Sequence, residues 1–335
     1  MTGRGDPGRP DGADQGGGVA EERRARRQDR LSRVAWRSVL RRTLREAQAD
    51  NITDWAAALT YYGVLALFPA LLVLVSVLGL VGDAAVRGVQ NVIRDVVPAQ
   101  SARDILLTGV SQVQGSAGTA SLVAILGLLG AYWTASGYVG AFMRAANVIY
   151  DVPEGRPLAT TLAFRLGITA LVGLMVLVSL VLLVFSGKLS QQVGRRLGVG
   201  EAGVAAWDIA KWPALVVLVS LIFAVLYWAT PNARQRFRWV SPGGLFAVLA
   251  WAIVSAGFAF YVANFGSYNK TYGSLAAVIV FLVWLWLSNV AILLGAELSA
   301  ELERERTIQL GGSAAREPYV SLRDDRTLRR RRRDP

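Results

Sequence analysis

The side chains that most enzymes use for chemistry are scarce in this chain. It contains neither cysteine nor histidine, so thiol nucleophiles, imidazole bases and the usual zinc and haem ligands are all absent. A serine–lysine pair needs no histidine, but Lys188, Lys211 and Lys270 belong to no such motif. The phosphate-binding pattern GxxxxGK[ST] and the zinc-binding pattern HExxH do not occur. The sequence therefore predicts a protein that is not an enzyme and that holds no cofactor or metal.

Uncharged polar residues within apolar segments are the remaining candidates for a site. They are tyrosines and asparagines, which form hydrogen bonds inside a membrane without carrying a charge. The set comprises Tyr61, Tyr138, Tyr261, Asn264, Tyr272 and Asn289. Two interpretations stay open. Either these side chains line a polar cavity or lateral groove, or they join neighbouring helices by hydrogen bonds.

Six long apolar segments must position these residues. A hydrocarbon core ~30 Å thick needs about 20 apolar residues in helical form, and the period-two alternation of barrel strands is absent. The predicted spans are residues 57–81, 120–143, 166–185, 213–228, 244–262 and 275–298. The predicted fold class is therefore an all-α integral membrane protein with six transmembrane helices.

Cationic residues are divided unequally between the two sides that these spans define. Of the 36 lysines and arginines, 28 fall before the first span, after the second and fourth spans, and after the sixth. The other connections hold eight. Because positive residues concentrate in cytoplasmic segments, this asymmetry predicts a multi-pass protein of the cytoplasmic membrane with both termini in the cytoplasm.

The segments outside the spans give the domain organisation. Residues 1–30 are predicted to be a disordered basic leader, and residues 31–52 an amphipathic juxtamembrane helix suited to lying along the inner leaflet. The membrane domain covers residues 53–306, and residues 307–335 are predicted to be a disordered, arginine-rich cytoplasmic tail. Short amphipathic helices are expected on the outer face, within residues 86–97, 105–113 and 193–197.

The basic ends also predict partners. Each lysine or arginine close to an anionic membrane contributes about 1 kcal/mol of attraction. We therefore expect the lipid bilayer and its anionic headgroups to be the partners, rather than a specific nucleic acid. A homo-oligomer stays open.

Several motifs resemble the YihY/BrkB family of inner-membrane proteins. They are TYYGVLALFPALL at residues 60–72, NVIYDVPEGRP at 147–157, WATPNARQRFRWVSPGG at 228–244, and TYGSLAAVIVFLVWLW with GAEL between 271 and 298. The resemblance covers about residues 33–306 and implies six helices with cytoplasmic ends. The family-motif positions that it carries over as structural are Pro69, Asn147, Arg156, Pro231, Asn232, Pro242, Gly243, Gly273, Gly295 and Glu297.

The resemblance implies little about activity. The family has carried a ribonuclease label and a virulence-factor label, and metal-dependent RNA cleavage is disfavoured by the absence of histidine. The first hypothesis is a non-enzymatic, transport-type or lipid- and envelope-related protein with an intramembrane face of tyrosine and asparagine. The alternative is a scaffold or envelope-integrity protein that acts through its basic cytoplasmic ends. A membrane-bound nuclease is the third, disfavoured option.

Overall fold

Helices form almost all of the structure, which is a computed structural model. It describes residues 33–81, 87–88, 90–91, 93–94, 103–104, 107–108, 111, 121–184, 190–191, 194, 198, 200–235, 237, 241–264, 274–311 and 318–331. The helices are α1 (Arg33–Ala49), α2 (Ile52–Val81), α3 (Ser121–Ile149), α4 (Leu158–Val184), α5 (Glu201–Ala229), α6 (Pro242–Asn264), α7 (Ser274–Gln309) and α8 (Arg326–Arg331). The predicted leader, residues 1–30, lies outside the described residues.

The six long helices, α2 to α7, cover the six predicted apolar spans except for residues 120 and 185, which lie outside the described residues. Over the described residues, four segments are long and apolar enough to cross a membrane: Leu158–Leu183, Glu201–Ala229, Pro242–Tyr261 and Val278–Gln309. Helices α2 and α3 are 30 and 29 residues long. The protein is thus an α-helical membrane protein.

Several helices extend beyond the predicted apolar spans. Helix α5 begins at Glu201 rather than at residue 213 and continues through Pro213. Helix α7 continues to Gln309, past the predicted end at residue 298. Both extensions are more polar than the spans. The helices can continue there because only the hydrocarbon region requires apolar side chains, whereas the backbone hydrogen bonds of a helix form on either side of that boundary.

Contacts between consecutive helices bring two connections to one end of the bundle. Helices α3 and α4 are joined by residues 150–157, and α5 and α6 by residues 230–241, so we call this the loop end. Helix α7 packs against α6, α2 and α1. Buried apolar residues concentrate at the loop end, in residues 139–152 of α3 and its turn, 222–229 of α5 and 293–302 of α7.

The middle of several helices is apolar and exposed. Val217, Ile253 and Phe260 are 66%, 73% and 73% exposed. Such side chains on α5 and α6 have the chemistry that lipid tails require. The loop end is therefore the packed part of the molecule, and the opposite half presents its apolar surface to the surroundings.

Helix α1 packs against the loop end. Val39 is fully buried with Leu298 and Leu302 of α7. Arg42 donates to Glu301 and to Glu305, each over 2.6 Å. Leu40 and Leu44 remain exposed on another side of the helix, so one face of α1 contacts protein while a second apolar face is free for the membrane surface that the sequence predicts.

The C-terminal part of the chain differs from its predicted disorder. Residues 318–331, which we call the tail segment, pack against the loop end, and Val320 is 7% exposed. Main-chain hydrogen bonds join the segment to residues 232 and 234, and Ala233 forms an antiparallel bridge with Leu322. The composition of this basic segment does not reveal its order, because the order comes from contacts with residues about 90 positions earlier.

The segments predicted to be outer-face helices fall mostly outside the described residues. Those that the structure describes in 87–94, 103–111 and 190–194 are helical. Gln90 and Arg94 face Asp104 and Thr108 across a space of about 400 Å³ that is open to the surface.

Candidate functional site

A chain of hydrogen bonds joins three of the long helices at the polar intramembrane positions. Tyr138 of α3 donates from its hydroxyl to Asn289 Oδ1 of α7 over 2.8 Å. Asn289 donates from Nδ2 to Thr60 Oγ1 of α2 over 3.1 Å, and Thr60 in turn donates to the Ala56 carbonyl. Thr60 and Asn289 are buried. These polar groups satisfy one another, which holds the helices together.

The other candidate residues lie apart from this chain. Tyr61 is 62% exposed and meets the Tyr62 ring edge-on at 5.4 Å. Tyr261 is 45% exposed, and its ring centroid lies 6.3 Å from that of Phe258. Asn264 is the last residue of α6, and its side chain falls outside the described part of the chain, as does all of Tyr272. Of the six candidates, the structure brings together Tyr138 and Asn289.

Small residues allow α6 and α7 to approach closely. A Cβ atom added at Gly243 would overlap the Gly295 carbonyl and the Ser299 hydroxyl. A Cβ added at Gly295 would lie 2.6 Å from Ala247 Cβ and 2.7 Å from the Tyr227 hydroxyl. These two family-motif glycines are therefore required by backbone contact between the helices.

Pro231 and Pro242 flank the connection between α5 and α6. Pro231 is buried in the turn after α5, and Pro242 is the first residue of α6, where a missing N–H costs nothing. Pro69 lies within α2, but its side chain falls outside the described residues, and Gly273 lies outside them entirely.

Glu297 of α7 is a buried carboxylate of the family motif. The residue is 1% exposed, and its Oε2 has no hydrogen-bond partner among the described residues. Arg42 of α1 pairs with Glu301 and Glu305, which follow Glu297 in the same helix. The sequence analysis did not single out these two carboxylates.

The turn after α3 contributes residues to a polar cluster at the loop end. Asp151 adopts a positive φ of 50°. The Val152 N–H bonds to the Asn147 carbonyl and the Asp151 N–H to the Val148 carbonyl, at 2.9 Å each. These two bonds form a Schellman motif, which ends the helix and turns the chain back. The turn places Glu154 and Arg156 beside the last turn of α3.

An ion pair with a shared amide follows this turn. Arg156 donates from Nε to Glu154 Oε1 over 2.8 Å and from Nη2 to Oε2 over 2.9 Å. Asn147 Nδ2 also donates to Glu154 Oε2 over 2.9 Å. Burial alone would raise the pKa of Glu154, but the hydrogen bonds and charge of Arg156 outweigh it and hold that pKa below its usual range.

Asn232 connects this ion pair to the tail segment. Its backbone N–H donates to Asn147 Oδ1 over 2.8 Å. Its side chain donates to the carbonyls of Pro153, at 3.1 Å, and Asp324, at 2.7 Å, and accepts from the Asp324 N–H at 3.0 Å. Asn232 is fully buried. We call Asn147, Glu154, Arg156, Asn232 and Asp324 the hub.

Two arginines cap the C-terminal end of α5 at the hub. Arg156 Nη2 donates to the Thr230 carbonyl, and Arg323 donates to the carbonyls of Trp228 and Ala229. Cations at a helix C-terminus interact favourably with its unpaired carbonyls and dipole. Burial and the charge of Arg156 lower the pKa of Arg323. Arg156 Nη1 is buried and has no partner among the described residues.

A small cavity lies beside the hub, between α5, α6 and α7. Its volume is about 40 Å³, and Tyr150, Gln235, Glu303 and Arg306 contribute polar atoms to its wall. Tyr150 donates to Gln235 Oε1 over 3.1 Å. This volume holds a few water molecules and no larger ligand.

Comparison with known proteins decides the family. A family model described as Virulence factor BrkB matches residues 43–319. The chain belongs to the BrkB family. It is 30% identical over 268 residues to YfkH of Bacillus subtilis, a protein named as ribonuclease-like, covering 80% of this chain and 94% of that protein. No solved structure matches the chain.

Two further relatives carry only a membrane-protein name. A UPF0761 membrane protein of Pseudoalteromonas atlantica is 28% identical over 81% of this chain and 92% of its own length. One of Alteromonas mediterranea is 31% identical over 77% of this chain and 85% of its own length. The predicted family and the multi-pass location in the cell membrane are thus confirmed, together with an α-helical fold.

The BrkB match places four of the five hub residues within the family region. Asn147, Glu154, Arg156 and Asn232 lie within residues 43–319, whereas Asp324 lies just beyond it. Sequence reasoning identified Asn147, Arg156 and Asn232 through the family motifs. It missed Glu154, although that residue stands within the quoted motif NVIYDVPEGRP, and it missed Arg323 and Asp324 because the tail segment was predicted to be disordered.

Among the residues that the structure describes, no three Asp or Glu side chains are placed to hold a metal ion. The hub joins the connections of the loop end to one another, and its two carboxylates, Glu154 and Asp324, are paired with the guanidinium groups of Arg156 and Arg326.

Proposed function

We propose that this BrkB-family protein is a non-enzymatic envelope scaffold with six transmembrane helices, whose loop end faces the cytoplasm and binds anionic lipid headgroups. The loop end includes the arginine-containing connections that follow α3 and α5, together with helix α1 and the tail segment. The positive-inside rule assigns such an end to the cytoplasm. An even number of spans then leaves both termini on that side.

One observation carries the proposal: the loop end holds arginines in ordered, exposed positions. Arg37 and Arg41 of α1 and Arg330 of α8 are exposed. None of the three forms an ion pair within the described part of the chain. Leu40 and Leu44 lie exposed beside the first two and suit the boundary between headgroups and acyl chains.

The intramembrane polar groups support a scaffold more than a transporter. A polar pathway requires side chains that are available to a substrate. Tyr138, Asn289 and Thr60 are engaged with one another across three helices, and two of them are buried. Their hydrogen bonds account for their presence in the apolar helices without a substrate.

Charge removal tests the scaffold function. Changing Arg37, Arg41 and Arg330 to Gln removes about 1 kcal/mol of headgroup attraction per residue, or about a 100-fold loss of affinity in total. Native mass spectrometry in a neutral detergent counts phosphatidylglycerol against phosphatidylcholine bound to each protein. In cells lacking the protein, wild type is expected to restore exclusion of a membrane-impermeant dye, and the triple variant is not. Equal lipid selectivity or equal restoration by the triple variant contradicts the proposal.

A second candidate, lipid handling within the membrane, rests on Arg165 of α4. Its guanidinium lies 5.2 Å from the centroid of the Trp133 ring, which is 56% exposed, and donates to Ser136 Oγ over 2.9 and 2.6 Å. Arg165 has no carboxylate within ion-pair distance in the described chain. It lies about 10 Å along α4 from Leu158, a depth from which a long cationic side chain reaches a lipid phosphate.

Reconstitution separates the two candidates. Vesicles containing the protein are assayed for transfer of a fluorescent anionic lipid between leaflets. Lipid handling predicts transfer that is lost in Arg165→Gln and retained in the triple arginine variant. A scaffold predicts no transfer above that of empty vesicles.

A further inference from the structure

Residues 320–324 of the tail segment lie as an extended peptide in a groove formed by residues 153–156 and 228–235, whereas residues 326–331 form α8. The Arg323 N–H donates to the Asn232 carbonyl over 2.9 Å, and the Arg234 N–H donates to the Ser321 carbonyl over 2.8 Å. Ala233 and Leu322 are the bridged pair between these bonds. The Asn232 side chain adds a two-bond contact with the Asp324 peptide. Recognition of a main chain in this manner is the mode by which proteins bind added strands.

Side-chain contacts give the groove its sequence preference. The Arg323 guanidinium lies 5.2 Å from the Trp228 ring centroid and donates to the Trp228 carbonyl over 2.7 Å and the Ala229 carbonyl over 3.3 Å. Val320 is buried, and Leu322 packs against the main apolar core. The occupied positions therefore select two aliphatic residues, an arginine and a following residue read through its peptide group.

A glycine shapes the wall of the groove. A Cβ atom added at Gly155 would overlap the Asp324 carbonyl, so the close approach of the two chains requires glycine there. Gly155 also accepts from the Thr327 N–H over 3.0 Å. Gly155 and Asn232 lie inside the BrkB match at residues 43–319, whereas residues 320–327 lie outside it. The groove and its occupant thus come from different parts of the chain.

We propose that this groove, formed by residues 153–156 and 228–235, is a peptide-recognition site for the pattern Val-x-Leu-Arg followed by a residue that is bound through its peptide group. The tail segment occupies it reversibly in the same chain. Residues 312–317 connect the segment to the end of α7, and a tether this short gives an effective concentration on the order of 1 mM. A free peptide with the same sequence as the attached segment therefore shows an apparent Kd no tighter than about 1 mM.

A disulfide lock in the full chain tests the docking. Ala233 and Leu322 form a non-hydrogen-bonded antiparallel pair, for which Cα atoms lie about 4.5 Å apart, within the range that a disulfide spans. The chain has no cysteine of its own, so Ala233→Cys with Leu322→Cys creates one pair. Mild oxidation is expected to give an intrachain bond. A chain that stays reduced, or that cross-links to a second copy, overturns docking within the same chain.

Peptide binding tests recognition and reversibility. The probe is a fluorescent peptide of residues 318–331, titrated against full-length protein in phosphatidylcholine nanodiscs. Arg323→Ala in the protein weakens the attached segment by two charge-assisted hydrogen bonds, so the peptide is expected to bind at least about tenfold tighter than to wild type. Arg329→Ala, a matched change at an arginine of the same segment whose guanidinium bonds to Asp325 within that segment, is expected to match wild type.

Further arms exclude attraction by charge alone. The oxidised double-cysteine protein is expected to bind no peptide, and reduction is expected to restore peptide binding. A peptide carrying Arg323→Ala is expected to bind the Arg323→Ala protein at least about tenfold more weakly than the unchanged peptide. Equal binding by locked and reduced protein, or by both peptides, overturns the proposal.

Discussion

Replacing Asn232 by alanine tests how the hub holds the tail segment. The side chain of Asn232 exchanges two hydrogen bonds with the Asp324 peptide, at 2.7 and 3.0 Å, and is fully buried. Alanine removes both bonds but leaves the backbone pairing at residues 232 and 234. A buried hydrogen bond contributes about 1 kcal/mol. The docked state is therefore expected to lose about 2 kcal/mol, which increases the undocked population about 30-fold.

Limited digestion with trypsin measures that population. Trypsin cleaves after arginine in an extended, accessible chain, and the Arg323 side chain is held against α5 by the Trp228 and Ala229 carbonyls. When docking is fast relative to cleavage, the cleavage rate follows the undocked population. We expect cleavage after Arg323 to be about 30-fold faster in Asn232→Ala than in wild type, as read by mass spectrometry of the released C-terminal peptide.

Asn289→Ala is the matched control. It also removes a buried, hydrogen-bonded asparagine, but the two side-chain hydrogen bonds of Asn289 join α7 to α3 and α2 rather than to the tail segment. Cleavage after Arg323 in this control is expected to equal that of wild type. If Asn232→Ala changes the rate less than threefold, or if both variants accelerate it equally, the assignment of Asn232 as the residue that holds the tail segment is wrong.

Three further predictions concern the ion pairs and the close helix contact. The pKa of Glu154 is lowered in the folded protein, so the stabilisation that its carboxylate provides is complete above the unfolded pKa of about 4.3 and is lost as pH falls through the folded pKa. Glu154→Gln should therefore lower the melting temperature at pH 6 more than at pH 3. An equal decrease of the melting temperature at the two pH values contradicts this. Gly295→Ala should cost about 1–3 kcal/mol by overpacking and lower the melting temperature, whereas Gly257→Ala, where a Cβ meets nothing within 4 Å, should not. Arg42→Ala leaves the buried Glu301 without the guanidinium that contacts it at 2.6 Å, so amide hydrogen exchange in α1 should accelerate at least about tenfold. Arg41→Ala, at an exposed position of the same helix, is the control and should leave the exchange rate unchanged.

The helices follow from local features of the sequence, and their ends do not. A long apolar run predicts a membrane helix because unpaired backbone groups are too costly in lipid. The ends depend on capping and tertiary contact. Helix α3 stops where Asp151 takes a positive φ, and α5 begins twelve residues before the predicted start at residue 213. The hydrophobicity of a segment contains neither signal.

For the candidate polar residues, too, some properties follow from the sequence and others only from helix packing. Their position within apolar helices is visible in the sequence, and so is their ability to form hydrogen bonds. Whether two of them meet depends on how the helices rotate against one another. Tyr138 and Asn289, 151 positions apart, do meet, while Tyr61 lies exposed one residue after the buried Thr60. A shift of one residue turns a helical side chain by about 100°, enough to move it from a contact to the surface.

By itself, the sequence determined the membrane class, the helical segments, the charge asymmetry and the family, because each depends on composition or on contiguous motifs. Only the tertiary structure decided what the motif residues contact. Asn232 holds a peptide group 92 positions later in the chain, and Arg323 caps a helix that ends 94 positions earlier. The tail segment is basic, and its order comes from main-chain and guanidinium bonds to the loop end together with the packing of Val320 and Leu322 against the core. Those bonds exist only after the helices have packed and placed their ends side by side.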